Sequence, residues 1–352
     1  MKLAVVGLSI TSSWGNGHAT TYRGLLREMA KLGHEVTFFE RDVPWYADNR
    51  DLPEPPFCRT VLYSSPKVLF REYGKEISGA DCVIVGSYVP DGIEIGRWVT
   101  HKTKGITAFY DIDTPVTLAG LEDGKCRYLS RELIPLYHLY LSFTGGPTLR
   151  KLEKKYRSPA ARALYCSVDP EVHYPVRQTP SWDLGYLGTY SKDRQPVLDR
   201  LLCAPAVVWQ DGSFVVAGAQ FPPEIRWPKN TERIEHLPPE THRDFYTAQR
   251  FTLNVTRKQM ILAGYSPSVR LFEAAACGVP VISDKWPGLE HFFVPGEEIL
   301  LASTAADVLR YLREFPEQER KAIGERARKK VLGSHSALRR AEELEGYIKS
   351  CC

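Results

Sequence analysis

Two hydrophobic signatures alternate along the chain. Short, mainly apolar runs recur at residues 3–8, 35–40, 81–86, 106–110, 139–143 and 162–165, and again at 183–189, 214–217, 233–237, 251–255, 279–282 and 300–301, the first of them continuous. A strand covered by helices on both faces has no wet side, so such runs predict buried strands of parallel sheets. Between them the apolar residues fall three and four apart. Tyr22, Leu25, Leu26, Met29 and Leu32 form one such face, closed by Gly33. Residues 68–77, 93–100, 197–202, 242–250 and 307–312 predict further helices, and residues 317–349 read as charged ones. Residues 41–66, rich in Pro, Asp and Arg, read as a long surface excursion. Strand, loop, helix, strand in repetition predicts an α/β protein with Rossmann-like sheets. Residues 169–181 carry Pro170, Pro175 and Pro180 and read as a linker. The expected division is therefore 1–168, 182–330 and a terminal helix at 331–352.

The rhythm is sharpest at residues 266–284, SPSVRLFEAAACGVPVISD. Pro267 and Ser268 suit a helix start, where a proline loses no hydrogen bond the helix needs. Leu271, Phe272, Ala275 and Ala276 give the apolar face, and Gly278 the left-handed stop. A strand follows at once. A helix start at the carboxyl edge of a parallel sheet presents unpaired N–H groups and a positive dipole end, which suit a phosphate. Glu273, the one carboxylate in that helix, is placed to hold a pair of sugar hydroxyls.

The EAAACGVPVIS run resembles the nucleotide-sugar site of GT-B glycosyltransferases. The wider pattern resembles their CgeB-like branch: Arg270-Leu271-Phe272-Glu273, then Gly278-Val279-Pro280, then Pro295-Gly296-Glu297-Glu298. The resemblance implies a GT-B fold, two Rossmann-like domains facing an interdomain cleft, with the last helix crossing back to the first domain. It implies an acceptor domain first and a donor domain second, and it gives Glu273 the ribose hydroxyls of the nucleotide. Retaining relatives carry a second glutamate eight residues earlier, where this chain has Tyr265. The resemblance further implies that His18, after Gly15 and Gly17 at a helix start, acts as general base on the acceptor hydroxyl. An imidazole titrating near neutrality suits that work. Asp111 or Asp113, at a neighbouring strand end, would orient its ring. The competing reading makes His18 a helix cap and Asp113 a turn cap. His18 points to inversion and the Glu273 helix to the retaining families, so stereochemistry stays open.

Leaving-group departure puts charge on a diphosphate, which fixed cations stabilise. Lys192, Arg194, Arg257, Lys258 and Arg270 are the candidates, with Ser268 and Val269 supplying the helix start and Tyr190 a stacking ring. Asp284 and Glu290 follow the next strand as candidates for the donor sugar, and Trp14, Tyr88, Tyr110 and Trp286 are further aromatics on expected cleft loops. The expected donor is a UDP-, TDP- or GDP-sugar, and the acceptor is unspecified. Asp111-Ile112-Asp113 has the letters of a metal-binding DxD motif but lies in the wrong half, so no metal or cofactor is expected to be required. A sugar-nucleotide epimerase and a non-catalytic, coat-associated binding protein are the alternatives. Gly15-Asn16-Gly17 is only part of a GxGxxG fingerprint, leaving dinucleotide binding, with Glu40 on the ribose, as a weaker reading.

Composition narrows this further. The 352 residues carry a net charge of +4 with 25% charged residues, too weak a surplus to argue for nucleic acid. The eight cysteines are scattered, with no CxxC pair, which excludes zinc-ribbon and disulfide scaffolds and predicts a reducing cytoplasm. The opening apolar run is too short for a signal peptide, and no run approaches the roughly 20 residues of a membrane span.

Overall fold

A computed structural model describes residues 1–14 and 17–351. The chain forms two compact units, Met1–Ser167 with Ala337–Cys352, and Val168–Ser336. In the first, β1 (Lys2–Gly7), β2 (Glu35–Arg41), β3 (Arg59–Tyr63), β4 (Cys82–Gly86), β5 (Ile106–Asp111), β6 (Leu139–Ser142) and β7 (Ala161–Ala163) form one parallel sheet. Its order is β3-β2-β1-β4-β5-β6-β7. In the second, β8 (Trp182–Leu187), β9 (Phe214–Ala217), β10 (Thr231–Ile234), β11 (Gln249–Asn254), β12 (Val281–Ser283) and β13 (Leu300–Leu301) run parallel in the order β10-β9-β8-β11-β12-β13. Each order reverses once, between β1 and β4 and between β8 and β11. Ligands of open α/β sheets bind at such a switch point, beyond the carboxyl ends of the strands.

The central strands are buried on both faces, as their apolar runs require. Val5, Val83 and Phe109 in the first sheet and Leu184, Phe214 and Leu253 in the second are fully buried. The polar excursion at 41–66 holds a strand that the sequence pattern did not predict. In β3, RTVLY, exposed and buried residues alternate, because an edge strand has only one covered face. The region predicted as a helix at 242–250 divides into the helix His242–Thr247 and the start of β11. The linker residues from 168 onward belong to the second unit. The terminal helix Ala337–Lys349 belongs to the first, where the Tyr347 hydroxyl donates to the Ala163 carbonyl at 3.0 Å and His34 Nε2 lies 3.2 Å from Glu345.

The helix Glu317–Ser334 packs against the helix Val269–Ala276 and its glycine stop. A Cβ on Gly324 would land on the Gly278 carbonyl oxygen and 3.3 Å from Pro280 Cδ. Backbone there has no room to give, so Gly324→Ala is expected to cost about 2–3 kcal/mol. A shifted urea midpoint at unchanged slope would show it, and an unchanged midpoint would contradict the packing.

Candidate functional site

At the switch point of the second sheet, β8 ends in Leu187 and β11 in Asn254. The helix Val269–Ala276 begins above them, and Arg270, its second residue, folds back onto both strand ends. Its Nε donates to the Leu187 carbonyl, while Nη1 donates to Asn254 Oδ1 at 3.0 Å and Ser268 Oγ at 3.4 Å. The guanidinium lies 4.9 Å from the centre of the Tyr186 ring. Arg270 is only 7% exposed, and its hydrogen-bond partners are neutral. A buried charge in this state is costly unless a counter-charge joins it.

Two more arginines converge on the same place. Arg194, half-buried, donates through Nη2 to the Thr189 carbonyl, and its Nε is buried with no hydrogen-bond partner. Burial lowers its pKa, Tyr186 pulls against that, Arg270 and Arg257 push it further down, and Asp193 opposes them least. Asp193 is committed elsewhere. Its Oδ2 accepts the Lys258 backbone N–H at 2.7 Å and joins the loop after β8 to the loop after β11. The strand ends thus carry three guanidinium groups within electrostatic reach of one another, beside a helix start whose Ser268 side chain does not cap it. Such a grouping has the chemistry to receive an anion.

One turn further along the helix, Glu273 is also buried, at 9% exposure. Its Oε2 accepts the Tyr246 hydroxyl at 2.9 Å, and Oε1 lies 3.8 Å from His173 Nε2. Burial opposes its charge, but His173, His242, the Tyr246 hydroxyl and Arg270 outweigh that and hold the carboxyl below its usual range. His173, His242 and Tyr246 escaped the sequence reading. His173 lies in the proline-bearing linker and His242 at a helix start, where periodicity carries no signal.

In the first unit, His18 opens the helix His18–Lys31 beyond β1. Burial alone depresses its pKa to about 4, so the imidazole is neutral at pH 7 and able to accept a proton. Its ring meets Tyr88 edge-on at 5.4 Å, and the Tyr88 hydroxyl donates to Asp113 Oδ2 at 3.2 Å. Tyr88 follows β4 in the left-handed region, φ 62°, a conformation that costs a non-glycine residue energy and recurs at functional sites. Asp111 turns elsewhere. It accepts the Tyr140 hydroxyl at 2.5 Å and the Thr117 hydroxyl at 2.7 Å, wholly buried, and burial raises its pKa to about 6. Asp111 is an internal brace for the turn, and Asp113 is linked to the histidine ring through Tyr88.

Other predicted residues are dispersed. Gly15 lies outside the described residues, and Gly17 is the exposed residue preceding the His18 helix. Lys192, Lys258 and Val269 are exposed and Ser268 half-buried. Tyr190 packs edge-on against Phe221 at 5.6 Å. Tyr110 and Trp286 are core residues, at 1% and 4% exposure. Tyr265 takes φ 49° and donates its N–H to the Pro287 carbonyl at 2.7 Å, fixing the turn after β12. Asp284 accepts the Thr256 N–H and hydroxyl, at 3.0 and 2.8 Å, and so shapes the loop that carries Arg257. Glu40 likewise accepts the Ile10 and Thr11 N–H groups at 2.6 and 3.0 Å. That bracing of the loop after β1 removes it as a ribose ligand.

His18 and Asp111 give the first unit two opposed pH dependences. The unfolded chain protonates His18 near 6.5 and the folded chain only near 4, so acidification through that window costs up to about 3 kcal/mol. For Asp111 the folded pKa lies above the unfolded one, so acidification through the window from about 6 to 3.8 stabilises by a similar amount. Wild type is expected to lose little from this pair between pH 6.5 and 4, whereas His18→Asn gains stability relative to it. Denaturant midpoints of both proteins across that range check the sign, and parallel curves would contradict it.

Residues 194–346 match the family model described as glycosyl transferase-like. Among curated proteins none matches the sequence. Solved structures match over the full length. Sucrose-phosphate synthase from Thermosynechococcus elongatus superimposes with a TM-score of 0.69 at 14% identity, over 99% of this chain and 98% of that one. Anabaena HepE in complex with UDP-glucose does so at 0.71 and 11% identity, over 99% and 100%. An α-glucosyltransferase in complex with UDP does so at 0.70 and 13%, over 99% and 100%. Among the described residues no helix is long and apolar enough to cross a membrane.

Proposed function

We propose, from the premise that this chain has the GT-B glycosyltransferase fold and falls over residues 194–346 in the glycosyl transferase-like family, that it transfers a sugar from a nucleoside-diphosphate donor to an acceptor hydroxyl. The convergence of Arg194, Arg257 and Arg270 on the switch point of the second unit carries this reading. A diphosphate there meets three converging guanidinium groups, and its charge grows as the leaving group departs, so the cations act most strongly in the transition state. The N–H groups at the Val269 helix start add to them. Glu273, deeper in the same helix, receives the ribose hydroxyls on the lone pairs that Tyr246 leaves. UDP-sugars are the first donors to try, since structural neighbours bind UDP or UDP-glucose. The 270–273, 278–280 and 295–298 motifs support the narrower CgeB-like affinity, and the scattered cysteines a cytoplasmic setting.

His18 is the proposed base. It takes the acceptor proton as the oxygen attacks the anomeric carbon, the bond to the diphosphate breaks, and the diphosphate leaves with its electron pair. Asp113 steadies the ring through Tyr88. The diphosphate site needs no metal in this scheme, because fixed guanidinium groups take the place of a divalent ion.

Incubating the protein with a panel of UDP-, TDP- and GDP-sugars and following the products by mass spectrometry tests the proposal. Release of the nucleoside diphosphate from at least one donor is expected, and release from none would overturn it. Against the active donor, His18→Asn is expected to lower turnover by roughly 10²–10⁴ while leaving UDP affinity unchanged.

A further inference from the structure

We infer that His173, His242 and Glu273 form a binding site for a single divalent transition-metal ion of the zinc type. One ligand atom from each of the three lies within 4.8 Å of the others. Bonds of about 2.0–2.1 Å to a tetrahedral ion put such atoms roughly 3.3 Å apart, so the cluster needs only a small contraction. His173 Nε2 and Glu273 Oε1 already stand at 3.8 Å.

The surroundings favour an ion over any larger ligand. His173 is 9% exposed, and both its ring nitrogens are buried without a hydrogen-bond partner. A buried imidazole in that state loses the hydration of two polar atoms and gains nothing for it. An ion bound at Glu273 Oε1 would take a lone pair from one of them. Each ligand is also held from behind, as metal ligands usually are. The His173 backbone N–H donates to the Asp169 carbonyl at 2.9 Å, pinning the linker turn that carries the ring. His242 Nε2 lies 3.3 Å from the Leu237 carbonyl. Donation there fixes the tautomer that leaves Nδ1 with the lone pair. The Tyr246 hydroxyl occupies Glu273 Oε2 and leaves Oε1 for the ion. Two imidazoles and one carboxylate with an open fourth position form a zinc-type donor set. The ion would sit on Glu273 and not on the guanidinium groups that take the diphosphate, so its presence is compatible with metal-independent sugar transfer.

Its consequence for donor binding rests on the reading of Glu273 as the ribose ligand, because a metal-bound carboxylate is a poorer acceptor for hydroxyls. The test uses the full chain, stripped with chelator and titrated calorimetrically with zinc, and separately with cobalt to read the visible bands of a tetrahedral site. One equivalent of zinc is expected to bind, and His173→Asn and His242→Asn each weaken it at least 100-fold while circular dichroism stays native. No zinc binding by the wild-type chain, or binding that survives the double variant, would overturn the site. UDP titrated into stripped and zinc-loaded protein addresses the other reading by itself. A loss of UDP affinity on loading supports ribose at Glu273. Unchanged affinity with zinc bound removes ribose from Glu273 and leaves the metal site standing.

Discussion

Arg270→Ala is expected to weaken UDP binding by roughly 30-fold to over a thousand-fold, the about 2–5 kcal/mol that follows from truncating one partner of a buried, hydrogen-bonded charge pair. The size of the effect comes from where this guanidinium sits. It is nearly sealed from water, its protein partners are the Leu187 carbonyl, Asn254 Oδ1 and Ser268 Oγ, and no ion pair is formed among the described residues. An arriving diphosphate is its counter-charge. The same substitution strips two buried acceptors of their donor and costs about 1–3 kcal/mol of stability. Arg270→Lys separates the two losses. It keeps the charge, lacks the fork that spans both strand ends, and should retain more UDP affinity than the alanine variant. Calorimetry with each protein reads the affinities. UDP binding that is unchanged in Arg270→Ala would place the diphosphate elsewhere.

Glu273→Gln is expected to weaken UDP by about 10- to 150-fold, from the loss of a charged acceptor worth roughly 1.5–3 kcal/mol, with little change in thermal stability. The amide oxygen of glutamine still accepts the Tyr246 hydroxyl. Glu273→Ala is a less selective probe. Tyr246 is fully buried, so its hydroxyl would lose its only described acceptor at about 1–3 kcal/mol, and folding and binding would fall together. Comparing melting temperature with UDP affinity in both variants decides it, and a glutamine variant that binds UDP like wild type would remove Glu273 from the nucleotide site.

The architecture was legible because its central strands are buried on both faces and so spell mainly apolar runs. Among the elements that escaped, two show why. β3 alternates, since an edge strand has one dry side, and the helix Lys258–Ala263 has no buried residue to give it a periodic face. At the site, Arg270 and Glu273 were legible because each is a charged residue inside an apolar helix. Two acids read as site residues, Asp111 behind His18 and Glu40 on a ribose, serve as braces. Asp111 at the end of β5 and Glu40 in β2 lie near loops, and only the three-dimensional positions of Tyr140, Thr117, Ile10 and Thr11 show which groups occupy their oxygens. His173 and His242 lie 69 residues apart by their numbers and 100 and 31 from Glu273. No spacing rule joins them, because the second sheet brings them together.

A crystal of the protein with UDP examines the central claim most directly. The account predicts diphosphate oxygens within hydrogen-bond distance of Arg194, Arg257 or Arg270 and of the N–H groups that open the helix Val269–Ala276. Diphosphate bound elsewhere, touching none of those guanidinium groups, would contradict it.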